Sequence, residues 1–197
     1  MNAETYLRMT FEHDAEFVQG RIIERPMPTF DHSYIQNFVG SRLEEQADAP
    51  RAFALTEQRI RVRPDRYRLA DVCVVERRPA PEDRGLVANP PHLCVEVLCP
   101  DDDVPEMLQW IDDYLEMGVP WIWVIDPLTC QGQVCTIEGA SRVKHDLQHG
   151  SVHSESCARA YCLVKIETAF RVPDERCRQA SRLPRFRSPG NCPRLCD

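Results

Sequence analysis

Two carboxylates stand inside segments that otherwise read as apolar strands. Asp71 interrupts LADVCVV and Glu96 interrupts HLCVEVLC. A carboxylate taken out of water without a partner is costly, so a buried one is neutralised, ion-paired or bound to a metal. If the two strands are neighbours, both acids reach one end of a sheet and can share a hard divalent cation. Mg2+ (or Mn2+) suits such a pair, because it takes a few carboxylate oxygens and keeps its remaining waters. An ion held in this way sharpens a water nucleophile and stabilises charge on a phosphodiester. The alternative is structural, each acid pairing with an arginine such as Arg68 or Arg77. The residues alone leave both readings open.

Other groups carry weaker signals. Arg59, Arg61 and Arg63 put three cations on one face of a strand, a pattern that can track phosphates or simply face solvent. His145, His149, His153 and Cys157 recur every four residues, which on a helix would align zinc ligands. Gly150 and the serines around it argue against a continuous helix there. The ten cysteines include three C-x4-C pairs and no C-x2-C, so the zinc-ribbon spacing is absent. Reduced thiols, mostly small buried hydrophobes, are the expectation.

The elements that must position these groups follow from periodicity. FVQGRIIE reads as a hairpin turning at Gln19-Gly20. In DHSYIQNFVGSRLEEQ, Ile35, Phe38, Val39 and Leu43 share a helical face, with Ser33 and Gln36 as the expected capping box. Strands are expected over 52–63, 67–76 and 92–99, with a loop at PAPEDRGLVANPP. DVPEMLQWIDDYLEMG is a helix capped by Asp103 and Glu106, striped by Met107, Leu108, Ile111, Tyr114 and Leu115, and stopped by Gly118. VPWIWVIDP is a strand, and QGQVCTIEG pairs beside it. Strands apolar on both faces belong in a sheet covered by helices, so the fold class is α/β, a central mixed sheet flanked by helices.

Length bounds the chain to one ordinary core: 197 residues, 43% hydrophobic and 28% charged. No apolar run approaches a membrane span, and the acidic start MNAETYLRMTFEHDAEF is unlike a signal peptide, which points to a cytoplasmic protein without a membrane partner. The net charge of −7 argues against non-specific coating of nucleic acid. Charge is uneven, however. Residues 171–197 hold seven Arg against Asp174, Glu175 and Asp197, a balance of +4 that leaves −11 on residues 1–170. YCLVKIETAF is a candidate last strand, and the tail after it carries four Pro and no apolar stripe. A folded domain over 1–170 and a disordered tail over 171–197 are expected.

These segments resemble a family. LADV, then PPHLCVEVLCP, then DDYLEMGVPWIWVIDP, with ERPMP and His32 upstream, is similar to the Uma-type restriction-endonuclease family of the PD-(D/E)XK superfamily. The resemblance spans roughly residues 12–138, with family patterns PDV, PPxLxxEVLSP and YxxxGVxxYWxVDP. It implies a restriction-endonuclease-like fold and a metal-dependent endonuclease, a hydrolase acting on nucleic acid, DNA above RNA. A homodimer is compatible with it. Carried over, Asp71 and Glu96 are metal ligands, and His32 is a further catalytic candidate. Ala70 and Cys99 are mild departures. More serious, the superfamily lysine two residues after the glutamate is Leu98, and its displaced position in the following helix is Trp110, with Gln109 on the polar face beside it. Losing such a cationic group costs roughly 10²–10³ in rate. A non-catalytic nucleic-acid- or partner-binding module of the same fold is the second reading.

Overall fold

Tyr6 is the first anchor of the chain. It sits on a six-residue helix, α1 (Ala3–Arg8), whose start is capped by Asn2 accepting from the Thr5 N–H at 2.9 Å. A helix this short shows no usable periodicity, and docking stabilises it: Tyr6 is fully buried against Phe17 and Tyr67, and its hydroxyl donates to the Ala15 carbonyl at 2.7 Å. The computed structural model describes residues 1–11, 15–46, 52–80, 85–129 and 131–142. The candidate strand at YCLVKIETAF, the His145/His149/His153/Cys157 spacing and the tail from 171 lie outside the described residues.

The expected hairpin is β1 (Ala15–Val18) and β2 (Arg21–Glu24). Its two-residue turn has φ of 49° at Gln19 and 85° at Gly20, the pair of positive values that matches the twist of the flanking strands. The connector RPMPT leads to α2 (Phe30–Gln46). The capping expectation is corrected here. Thr29, not Ser33, caps the helix: its hydroxyl accepts from the His32 N–H at 3.2 Å and its carbonyl from Ser33 at 3.0 Å. Gln36 is instead drawn to the sheet, where its amide donates to the Asp71 carbonyl at 3.1 Å and to Glu57.

β3 (Phe53–Arg63) and β4 (Arg66–Val75) form a long antiparallel hairpin. β5 (Leu93–Val97) follows, then α3 (Val104–Met117), then β6 (Ile122–Asp126) parallel to β5. The α3 ends are as expected: Asp103 accepts from the Glu106 N–H at 3.0 Å, and Gly118 closes the helix at φ 100°. β7 (Gln131–Thr136) and β8 (Gly139–Arg142) complete the order by antiparallel pairing. Among the described residues the eight strands make one mixed sheet in the order β2-β1-β4-β5-β6-β7-β8, with β3 on the other edge of β4.

Each face of the sheet carries one long helix. Ile35, Val39 and Leu43 of α2 pack on Val72, Val74, Val95 and Ile125, whereas Trp110, Ile111 and Tyr114 of α3 pack on Cys73, Cys94 and Ile122. Among the described residues no helix is long and apolar enough to cross a membrane. Cys73, Cys94, Cys99 and Cys135 are free thiols.

One detail of the topology positions the buried acids. β3 runs the full length of one edge of β4, but the opposite edge is shared. β1 pairs there with Arg66 and Tyr67, and β5 with Val72 to Val74. Between the two, the sheet forks at residues 68–71.

Candidate functional site

A fork in a sheet leaves backbone groups without ladder partners, and a buried N–H or C=O must find one elsewhere. Side chains supply them here. The Leu69 N–H donates to Glu16 Oε1 at 3.1 Å, and the Leu69 carbonyl accepts from Arg25 Nη1 at 3.0 Å. The Val97 N–H donates to Asp71 Oδ2 at 2.7 Å. Polar residues are therefore required at this point of the fold.

The two strand carboxylates meet at the fork. Val72 lies opposite Val95 in the β4–β5 ladder, so Asp71 and Glu96 are the next residues out on each strand. They are 1% and 2% exposed. Both reach one guanidinium: Arg25 Nη1 donates to Asp71 Oδ1 at 2.8 Å, and Nη2 to Glu96 Oε2 at 3.3 Å. His32 Nε2 lies 3.2 Å from Asp71 Oδ2, and the Tyr114 hydroxyl donates to Glu96 Oε1 at 2.7 Å. Arg25 also lies over the Trp110 ring, 5.3 Å from its centroid, a favourable cation–π placement.

The three residues singled out from the sequence, Asp71, Glu96 and His32, thus come together. Arg25 and Tyr114 were not foreseen. Arg25 sits in a proline-rich connector where an arginine is unremarkable, and Tyr114 reads as one more member of the apolar stripe. The arginine considered as a partner, Arg68, belongs elsewhere, and Arg77 is exposed. Arg68 is buried between Glu16 (2.6 Å) and Asp113 (2.7 Å), with Arg66 on the other oxygen of Asp113 at 2.6 Å. The arginine stripe of β3 is also largely engaged: Arg59 covers the Tyr6 ring, Arg63 pairs with Glu116, and Arg61 is exposed.

The two carboxyls differ in how firmly they hold a proton. Burial pushes Glu96 well above its ordinary value, and the neighbouring Asp71 charge adds to the push; Arg25 and Tyr114 oppose it without prevailing. Burial also raises Asp71, but the His32 hydrogen bond, the Arg25 charge and the Val97 N–H together hold it below its ordinary value. Asp71 is the ionised member of the pair, and Glu96 is the one that keeps a proton longer. The Tyr114 phenol, raised by burial and then by Glu96, stays a donor.

The donor set suits a hard divalent ion. Two opposed carboxylates already collect one cationic group between them, and two protein oxygens completed by water are a set that Mg2+ accepts. Among the described residues no three His, Cys, Asp or Glu side chains are grouped to hold a metal, so water would have to fill the remaining positions. Two buried polar atoms near the pair, His32 Nδ1 and Trp110 Nε1, have no hydrogen-bond partner among the described residues.

No curated protein matches the sequence. Among solved structures, the fold matches the crystal structure of a protein described as a putative nuclease belonging to DUF820, from Anabaena variabilis. The TM-score is 0.65 and the identity 25%, covering 81% of this chain and 92% of that one. A family model described as "Uma2: Putative restriction endonuclease" matches residues 3–158. The chain belongs to the Uma2 family, with the nuclease-like fold and function that this membership carries.

Proposed function

We propose that the chain is a divalent-metal-dependent endonuclease that hydrolyses phosphodiester bonds in nucleic acid, with DNA as the substrate class. Asp71 and Glu96 would hold the ion, Mg2+ or Mn2+. The observation that carries this reading is the convergence of two buried carboxylates from neighbouring strands on one cationic group.

When bound, the ion would lower the pKa of a coordinated water and offset charge on the phosphate. The chain's own residues do the positioning. His32 Nε2 and the Val97 N–H fix Asp71 Oδ2, while Tyr114 fixes Glu96 Oε1, so each carboxylate turns its second oxygen toward Arg25. With Nε2 donating to Asp71, His32 Nδ1 is an acceptor without a partner among the described residues, and it suits a water. Leu98 and Trp110 supply no cation, which predicts slow turnover, lower by roughly 10²–10³ than with a lysine present. The same absence favours a second reading, a binding module that has kept the fold.

Nicking of supercoiled DNA with Mg2+ or Mn2+ separates the two. Slow cleavage by the wild type, lost in Asp71→Asn and Glu96→Gln together with metal binding by calorimetry, is expected. Metal binding with no cleavage at high enzyme concentration would favour the binding module.

A further inference from the structure

Arg25 reaches the carboxylate pair from a segment outside both strand and helix. It directly follows β2, and Pro26 and Pro28 separate it from α2. Prolines have no N–H, so this connector cannot extend the ladder that ends at Glu24. Its side chain is 18% exposed, whereas the acids that it joins are almost wholly covered.

The four carboxylate oxygens divide into two classes. Asp71 Oδ2 and Glu96 Oε1 are committed to the fold through His32, Val97 and Tyr114. Asp71 Oδ1 and Glu96 Oε2 have one described partner, Arg25. Those are the two oxygens left for an ion, and the guanidinium occupies both. Formal charge bears on the same point. With both carboxyls ionised, one guanidinium leaves one negative charge over, and one divalent ion leaves none. A monovalent ion would gain nothing by the exchange.

We infer that Arg25 is a built-in competitor for the divalent ion, so that the site loads only in molecules whose guanidinium has withdrawn from the Asp71–Glu96 pair. This rests on the metal-dependent reading above. It also gives Trp110 a role: the ring that replaces the family's lysine is the platform that steadies the competing arginine.

The experiment is Mn2+ titration calorimetry at pH 8 on the full chain, wild type against Arg25→Gln. The apparent dissociation constant is the intrinsic one divided by the fraction of molecules in the open state. An arginine seated in nine molecules of ten therefore weakens binding about tenfold, and Arg25→Gln should recover that factor. Saturating Mn2+ should also raise the melting temperature of Arg25→Gln more than that of the wild type. Should Arg25→Gln fail to fold, the wild type decides alone: its Arg25 guanidinium resonance should move in step with Mg2+ saturation. Equal affinities, or Mg2+ saturation with that resonance unmoved, would overturn the competition and leave the metal reading standing. No binding by either protein would overturn the metal reading and the competition with it.

Discussion

Two buried ionic clusters flank the same fork in the sheet, and they are built to different ends. In the first, Arg68 lies between Glu16 and Asp113, and Arg66 covers the second oxygen of Asp113. Two acids meet two guanidiniums, and Arg63 stands at the rim 3.8 Å from Asp113. In the second, Asp71 and Glu96 share one guanidinium, that of Arg25, and His32 Nε2 stands beside Asp71. The first cluster is complete. The second is one positive charge short, and its shortfall can be met by a proton on Glu96 or by a cation from outside. The first network closes on itself and holds the fold, whereas the second is the one that binds on the proposed reading.

That contrast can be broken most directly at Arg68. Arg68→Met should leave Glu16 and Asp113 buried beside too little positive charge, and cost about 3–5 kcal/mol in denaturant unfolding. Mn2+ should not restore the loss. Full rescue by a divalent ion would mean that the first cluster is no more closed than the second.

Glu96→Gln tests the open cluster and should have a smaller effect of opposite sign. It removes the charge that crowds Asp71 and keeps an oxygen for Tyr114. At pH 8 we expect a gain in unfolding free energy, because burial and the Asp71 charge disfavour the ionised Glu96 carboxyl. The pH dependence follows from the raised Glu96 value. The folded carboxyl keeps its proton above the ordinary 4.5, so in that window the folded state binds more protons than the unfolded one. Wild-type stability therefore falls as pH rises above 4.5, and the fall should flatten in Glu96→Gln. An unchanged slope would show that Glu96 titrates as in the unfolded chain.

The smallest effect concerns Cys73, whose thiol is pushed up to about 12 by burial and then by the Glu96 charge. It should resist iodoacetamide at pH 8 in the folded protein, and Glu96→Gln should not expose it. Rapid alkylation in mass-spectrometric mapping would mean that the core beside the open cluster breathes.

Much of the scaffold was legible in the sequence because strong local signals and tertiary packing agree. The β1–β2 turn, the caps of α3 and the apolar strands β4 to β6 are examples. Asp71 and Glu96 stood out because each breaks a hydrophobic run. The rest of the site was hidden for physical reasons. The missing cation was sought where a lysine would be close in sequence or helix register, at 98, 109 or 110. The cation that does reach the pair comes from position 25 and occupies the carboxylates rather than replacing that lysine; it is brought over Trp110 by a connector that no periodicity encodes. Glu16 and Asp113 look like ordinary polar positions on a strand and a helix until Arg68 is seen between them. Ser33 and Gln36 have the spacing of a capping box, yet Gln36 is pulled to the sheet and Thr29 takes the cap.

The fork has a practical bearing on any attempt to inactivate the protein by mutation. Because Asp71 Oδ2 accepts the Val97 N–H, this side chain stands in for a missing stretch of strand as well as meeting Arg25. Asp71→Ala would orphan a buried donor, at about 1–3 kcal/mol, so a dead Asp71→Ala protein could be an unfolded one. Asp71→Asn retains an oxygen for Val97 and removes the charge together with the oxygen that meets Arg25, which makes it the informative knockout. The same reasoning applies to Glu16, whose carboxylate serves the Leu69 N–H at the other side of the split. At this point of the sheet, loss of function and loss of structure separate only when the substitute can still accept a hydrogen bond.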